Sequence, residues 1–297
     1  MPKPLQEKSA AKPSSRKPYQ KAGPTSKSDH KGRVDTDHGK SKSKSASKGP
    51  PVEDVLNVMF DELLSEDDKD ADKSGNTMFA ASSQAYIQRL GASAENYEMF
   101  VVLDIVNADA LGQISRAGFV EGWARQRVPE VGKKADNEKT VPPNLSAHQQ
   151  HVRYCCGKVT TDPAYFKALY QRAFLAGREP QQKSINMEVA IVFWGMMFEP
   201  TMRSWRSAKV DWLQAWTDYL TEKFYVEDGD KSRWTRTVSR DLWTQAALFA
   251  AKTMEDESLS FWSEEQAWPG LIDEFVVWCR EKRIVATKNT EDMEVDE

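Results

Sequence analysis

Three stretches of this 297-residue chain carry side chains whose types and spacing could do chemistry. In "DDKDADKSGNTMFAA" (67–81), Asp70, Asp72 and Ser74 alternate and Gly75 stands at the turn, as in an EF-hand calcium loop. Calcium takes roughly six to eight oxygens, and such a loop closes with a bidentate Glu at its twelfth position. That position is Ala81, and the following loop, "NADALGQIS", has no acidic series. The pattern therefore predicts a helix–loop–helix pair whose shape survives without the metal. In "HQQHVRYCC", His148, His151 and Cys155 share one helical face at i, i+3 and i+7. A zinc site needs about four ligands with a second pair from elsewhere, but Cys156 points off that face and Cys279 is the only other thiol. A partly buried helix with incidental His and Cys is the expectation, and no metal site. Nucleophilic catalysis by Cys155 would need a base from a separate element and an oxyanion hole. With no Gly-rich phosphate loop and no G-x-S-x-G, no catalytic residue and no cofactor are expected. The third stretch is acidic and aromatic. Asp241 in "VSRDLW" follows Ser239, and Asp273 in "LIDEF" follows Pro269, so each carboxylate falls in a first helical turn, where it favours the helix dipole. Beside Trp243 and Trp268 the two could form one acidic surface with an apolar floor.

The elements that must position these groups belong to a body unlike its own N-terminus. Residues 1–50 hold 13 Lys/Arg against 4 Asp/Glu, a net +9, and the remainder holds 28 against 41, a net −13. The first segment has almost no large apolar residue, so it cannot offset its ordering entropy and is expected to be a disordered basic tail. Its lysine clusters could serve nuclear import, placing the protein in nucleus and cytoplasm. The acidic body is not expected to bind nucleic acid, because phosphate contacts need positive surface; basic protein surfaces are its natural partners. No run of about 18 apolar residues is present, so no membrane span is expected, and "MPKPLQEKSA" has no secretory segment. Three cysteines without framework spacing suit a reducing compartment.

Past "GPP" the periodicity is helical throughout. "VEDVLNVMFDELLSEDD" puts Leu56, Phe60, Val55, Met59 and Leu63 on one broad face; "SAENYEMFVVLDIVNA" opens with Ser93 as its expected cap, and "SRAGFVEGW" with Ser115. Residues 128–143 read as a polar loop and a lobe boundary. "TDPAYFKALYQRAFLAG" has Asp162 as N-cap, Pro163 at the first position and Gly177 as stop. "INMEVAIVFWGMMF" is apolar nearly all round and is expected to be the central buried helix. Helices from Trp212, Ser239 and Pro269 follow, and nothing alternates long enough for a sheet. The body is predicted to be all-α: an EF-hand-like lobe over about 51–127, a helical lobe over about 144–285, and an acidic disordered tail at 286–297.

"LSFWSEEQAWPGLIDEFVVW", preceded by "VSRDLW", "VDWLQAWTDYL" and "MEVAIVFWGMMF", resembles the potentiating-neddylation domain of the defective-in-cullin-neddylation (DCN-like) family across most of 51–285. The resemblance implies an all-α fold beginning with degenerate EF-hand-like helix pairs. It implies a non-catalytic accessory ligase that helps attach a ubiquitin-like modifier to cullins within cullin-RING ligase complexes. The family's Asp–Ala–Asp surface, which grips the cullin's C-terminal winged-helix region, falls on Asp241, Ala267 and Asp273. Its pocket for the acetylated N-terminal Met of the neddylation conjugating enzyme falls on Met99, Val102, Val106, Ile114, Phe119, Phe174, Phe193 and Met196. Some relatives carry an N-terminal ubiquitin-associated domain; residues 1–50 have no core for one. Two other readings stand beside this one: a calcium-responsive EF-hand-like protein, against which Ala81 argues, and a generic helical interaction module, which would keep the acidic patch without the Met pocket.

Overall fold

The expected cap and face signals account for most of the helices. A computed structural model describes residues 50–108, 110–129, 138–179, 181–229 and 231–285. The two expected disordered tails, Pro50 aside, and residues 130–137 of the polar loop lie outside these. Helix α1 (Val52–Leu63) buries Leu56 and Phe60, and α2 (Glu66–Ala71) is closed by a capping box between Ser65 and Asp68. Strand β1 (Thr77–Met78) leads into α3 (Ala80–Arg89), followed by α4 (Glu98–Ile105), β2 (Ile114–Ser115) and α5 (Arg116–Arg125). β1 and β2 pair antiparallel, Met78 opposite Ile114, and so join the two interhelical loops. Helix α5 crosses the end of α4 so closely that a Cβ at Gly118 would sit 2.6 Å from the Val106 carbonyl oxygen. Strands β3 (Arg127–Pro129) and β4 (Glu138–Thr140) pair antiparallel.

The second half contains α6 (Leu145–Thr161), α7 (Pro163–Ala176), β5 (Ser184–Asn186), α8 (Met187–Met197), α9 (Pro200–Arg203) and α10 (Trp212–Phe224). Then come β6 (Tyr225–Asp228), β7 (Lys231–Trp234), β8 (Thr237–Ser239), α11 (Arg240–Glu255) and α12 (Gly270–Glu281). An aromatic hub fixes their arrangement. The Tyr170 ring of α7 stacks on Trp243 of α11 at 4.4 Å, and Trp243 stacks on Trp194 of α8 at 5.3 Å. The polar tips are satisfied inside: Trp194 Nε1 donates to the Tyr170 hydroxyl (2.7 Å), which donates to the Trp243 carbonyl (2.9 Å). Trp216 of α10 meets Phe275 of α12 edge-on at 4.9 Å. These rings belong to one hydrophobic core that runs through both expected lobes.

The fold differs from the sequence expectation in four places. Eight short strands form four antiparallel pairs among the described residues; at two to four residues each they are too short to show a period of two. The ends of the 128–143 loop are one of these ladders. Ser93 does not cap α4: the helix starts after Tyr97, and the Ser93 hydroxyl accepts instead from the Glu95 N–H at 3.1 Å, a local turn. α8 is not buried all round, since Val192 is 50% exposed.

Candidate functional site

The residues of the expected acidic surface stand at the starts of α11 and α12 and in the loop between them. Ser239 ends the β5–β8 ladder and caps α11, its Oγ accepting the Leu242 N–H at 3.1 Å. That leaves Asp241 exposed in the first turn, two residues before the buried Trp243 that fixes the helix. The carboxylate is therefore presented by a rigid element. Asp273 occupies the first turn of α12 and is half-buried; its Oδ1 accepts the Trp262 indole N–H at 2.8 Å. Ala267 is exposed and precedes Trp268, whose ring packs edge-on against Phe249 of α11 at 5.7 Å. Phe249 in turn lies 5.9 Å from Phe275 of α12. One aromatic ring thus ties all three segments, although Asp241 stands about 12 Å further up α11 than Phe249 by helical rise.

Asp256, which the sequence reading passed over, holds the connecting loop. Its Oδ1 accepts the Ser258 N–H (2.9 Å) and hydroxyl (2.6 Å), and its Oδ2 accepts the Ser260 N–H (2.8 Å) and hydroxyl (2.6 Å). These bonds hold its carboxyl at about 2, well below the usual carboxylate range. The Asp-x-Ser-x-Ser spacing was the available signal. Leu259, in the same loop, is fully buried with φ 58°, a left-handed conformation that this network and the burial together hold.

Seven of the eight expected pocket residues are buried core, and Met196 is half-buried. Their ring contacts diverge: Phe119 meets Phe60 and Tyr86, Phe193 meets Phe100, and Phe174 meets Trp243. None of the eight lines the groove between α10 and α12 or the hollow beside Trp234. The cluster is closed here, so a guest side chain would have to part these groups.

His148 and His151 lie on one buried face of α6. His148 stacks flat on Trp123 of α5 at 3.6 Å, and His151 Nε2 lies 3.0 Å from Gln126 Oε1 and 3.5 Å from Cys155 Sγ. Burial pushes the imidazoles down to about 3 and about 4, and raises the Cys155 thiol to about 11. The two imidazoles are neutral groups packed into the core, and burial outweighs the nearby Lys158 in keeping the thiol protonated.

In the 70–81 loop, Asp72 spends its oxygens on the loop itself, accepting the Ser74 N–H (3.0 Å) and hydroxyl (2.6 Å) and the Asn76 N–H (3.1 Å). A cation does approach the loop, but it is the chain's own. The Arg116 guanidinium donates to the Gly75 carbonyl (2.7 Å), Asn76 Oδ1 (3.0 Å) and Asp61 (2.5 Å), and lies 4.6 Å over Phe60.

A family model described as cullin binding matches residues 147–278, the span that carries Asp241, Ala267 and Asp273. The protein named "Defective in cullin neddylation protein 1" in Pyricularia oryzae is 35% identical over 251 residues, covering 81% of this chain and 79% of its own length. Its namesake in Yarrowia lipolytica is 26% identical over 75% of this chain and 77% of its own. The one in Eremothecium gossypii is 25% identical, over 70% and 72%.

Proposed function

We infer the function from a premise that the comparisons supply: this chain belongs to the defective in cullin neddylation family. It binds a cullin and has a role in cullin neddylation. In finer terms, it is a scaffold-type accessory ligase without catalytic residues of its own, built on a frame of degenerate EF-hand-like helix pairs. Asp241 and Asp273 meet cationic side chains of the cullin's C-terminal winged-helix region, and Ala267 lets that surface approach closely. The observation that carries this reading is that the cullin-binding match covers the two helix starts and the loop that present these residues, with Asp241 and Ala267 exposed.

The second partner is the neddylation conjugating enzyme, whose acetylated N-terminal Met enters the apolar cluster around Met99, Val102, Phe174 and Phe193. Acetylation removes a charge that would be costly to bury there. The chemistry is proximity: holding a charged conjugating enzyme beside the acceptor lysine raises effective concentration without a nucleophile. A peptide of the enzyme's N-terminus should bind at least about tenfold more tightly acetylated than free. Equal affinity for the two peptides would remove the pocket and leave the cullin surface standing.

A further inference from the structure

Next to Asp273 a groove of about 470 Å³ runs between α10 and α12, floored by Trp262, Trp278 and Tyr219. Its rim is net acidic, although Lys223 lines it and Lys282 and Arg280 lie over the Trp278 and Trp262 rings. Two of its carboxylates are answered within the chain: Glu274 by Lys223 at 3.0 Å and Glu222 by Lys282 at 3.0 Å. Among the described residues, Asp273 accepts the Trp262 indole N–H and has no cation paired with it. Glu264 and Glu281 line the same groove with no side-chain partner among the described residues. On α12, Asp273, Val277 and Glu281 follow at i, i+4 and i+8, one face of the helix, and Val277 is 42% exposed. An apolar residue is thus held open to solvent between carboxylates that lack cations.

We propose that the cullin-facing surface continues from Asp273 into this groove, which receives a lysine- or arginine-bearing segment of the cullin. This rests on the reading given under Proposed function. Charge complementarity selects the occupant: a cationic head between Glu264 and Glu281, its aliphatic stem along the exposed Val277. The groove is also continuous with the assigned surface, because Asp273 belongs to both and the cullin-binding match spans all its lining residues but Glu281. Asp241, Ala267 and Asp273 would then fix the docking position, while Glu264 and Glu281 discriminate among cullins by the charge at one further site.

The test is the affinity of the full chain for the isolated cullin winged-helix region at low and moderate salt, with circular dichroism on each variant. The Glu264→Lys/Glu281→Lys pair changes only exposed side chains. It should weaken binding by about tenfold or more at low salt and less at higher salt, and the Glu→Gln pair should weaken it several-fold and flatten the salt dependence. Asp241→Lys serves as the arm for the underlying reading. If Asp241→Lys abolishes binding and the groove variants stay within about twofold of the parent, the groove is a solvated acidic surface and the proposal falls alone. If the groove variants weaken binding and Asp241→Lys does not, the groove stands and the three-residue surface falls. If neither changes binding, both fall.

Discussion

The loop at 72–76 and the loop at 256–269 are held by the same device. In each, one aspartate accepts the backbone N–H and hydroxyl of a serine two residues on, and a backbone N–H four residues on: Asp72 with Ser74 and Asn76, Asp256 with Ser258 and Ser260. They differ in what lies over them. The first is closed by Arg116, which brings a guanidinium from α5 onto its carbonyls and onto Asp61. The second ends in the exposed residues Glu264, Glu265 and Ala267; Lys209 answers Glu257 at its start, while Arg280 and Lys252 lie over the Trp262 and Phe261 rings. One loop is electrostatically complete within the chain; the other has charge left for a partner. A motif for ordering a loop thus says nothing about whether the loop binds anything. The placement of the compensating cation decides it.

Acid should separate the two regions most strongly. The closed loop is tied to α5 through Arg116, and α5 rests on α6 through the Trp123–His148 stack; the other two of the chain's four histidines, His30 and His38, lie outside the described residues. In the unfolded chain each imidazole takes a proton near pH 6.5, whereas folded His148 and His151 resist until about 3 and about 4. Below pH 6.5 the unfolded state binds more protons, so stability is full above that pH and falls as pH is lowered toward the folded values. The cost reaches about 2 kcal/mol for each imidazole at pH 5. Hydrogen exchange should show protection lost from α5 and α6 before α11 and α12. Uniform loss, or a melting temperature flat from pH 7 to pH 5, would contradict this account of the joint.

The closed loop itself should respond to Arg116→Ala with a loss of about 2–3 kcal/mol, because a partly buried network loses the guanidinium that joins Asp61, Gly75 and Asn76. Cullin affinity should not change. Denaturant unfolding beside a cullin titration checks both halves. A calcium-dependent rise in the melting temperature of the parent chain, reversed by chelator, would break the claim that this loop is complete without metal. The open loop should give the opposite pattern. Asp256→Ala should weaken cullin binding about fivefold through a less ordered Ala267 segment, with little change in global stability, whereas Asp72→Ala should leave cullin binding unchanged. An Asp256→Ala protein with parental affinity would show that the aspartate network does not position the surface.

Much of the frame was legible because its signals are local. Asp162, Pro163 and Gly177 mark α7 from cap to stop, and Leu56 and Phe60 mark the buried face of α1. The exposure of Val192 was not legible, since a helix apolar on every side gives no clue to which side faces water. Nor was Arg116, whose partners lie 40 to 59 residues away in sequence. Asp241 and Asp273 were visible as helix-start carboxylates beside tryptophans, a pattern dipoles alone explain; the resemblance gave them a partner and added Ala267, which has no chemical signature of its own.

The most direct test of the acidic surface is the cullin affinity of Asp241→Lys and Ala267→Arg, two exposed positions, with acetylated-peptide affinity and circular dichroism recorded on the same proteins. Like charge and added bulk at the contact should reduce cullin affinity by about a hundredfold or more in each. Peptide binding and the melting temperature should stay at the parent's values, because the apolar cluster lies on other elements. Cullin affinity retained in both variants, or both partners lost together with a lowered melting temperature, would show that these residues do not form the cullin surface.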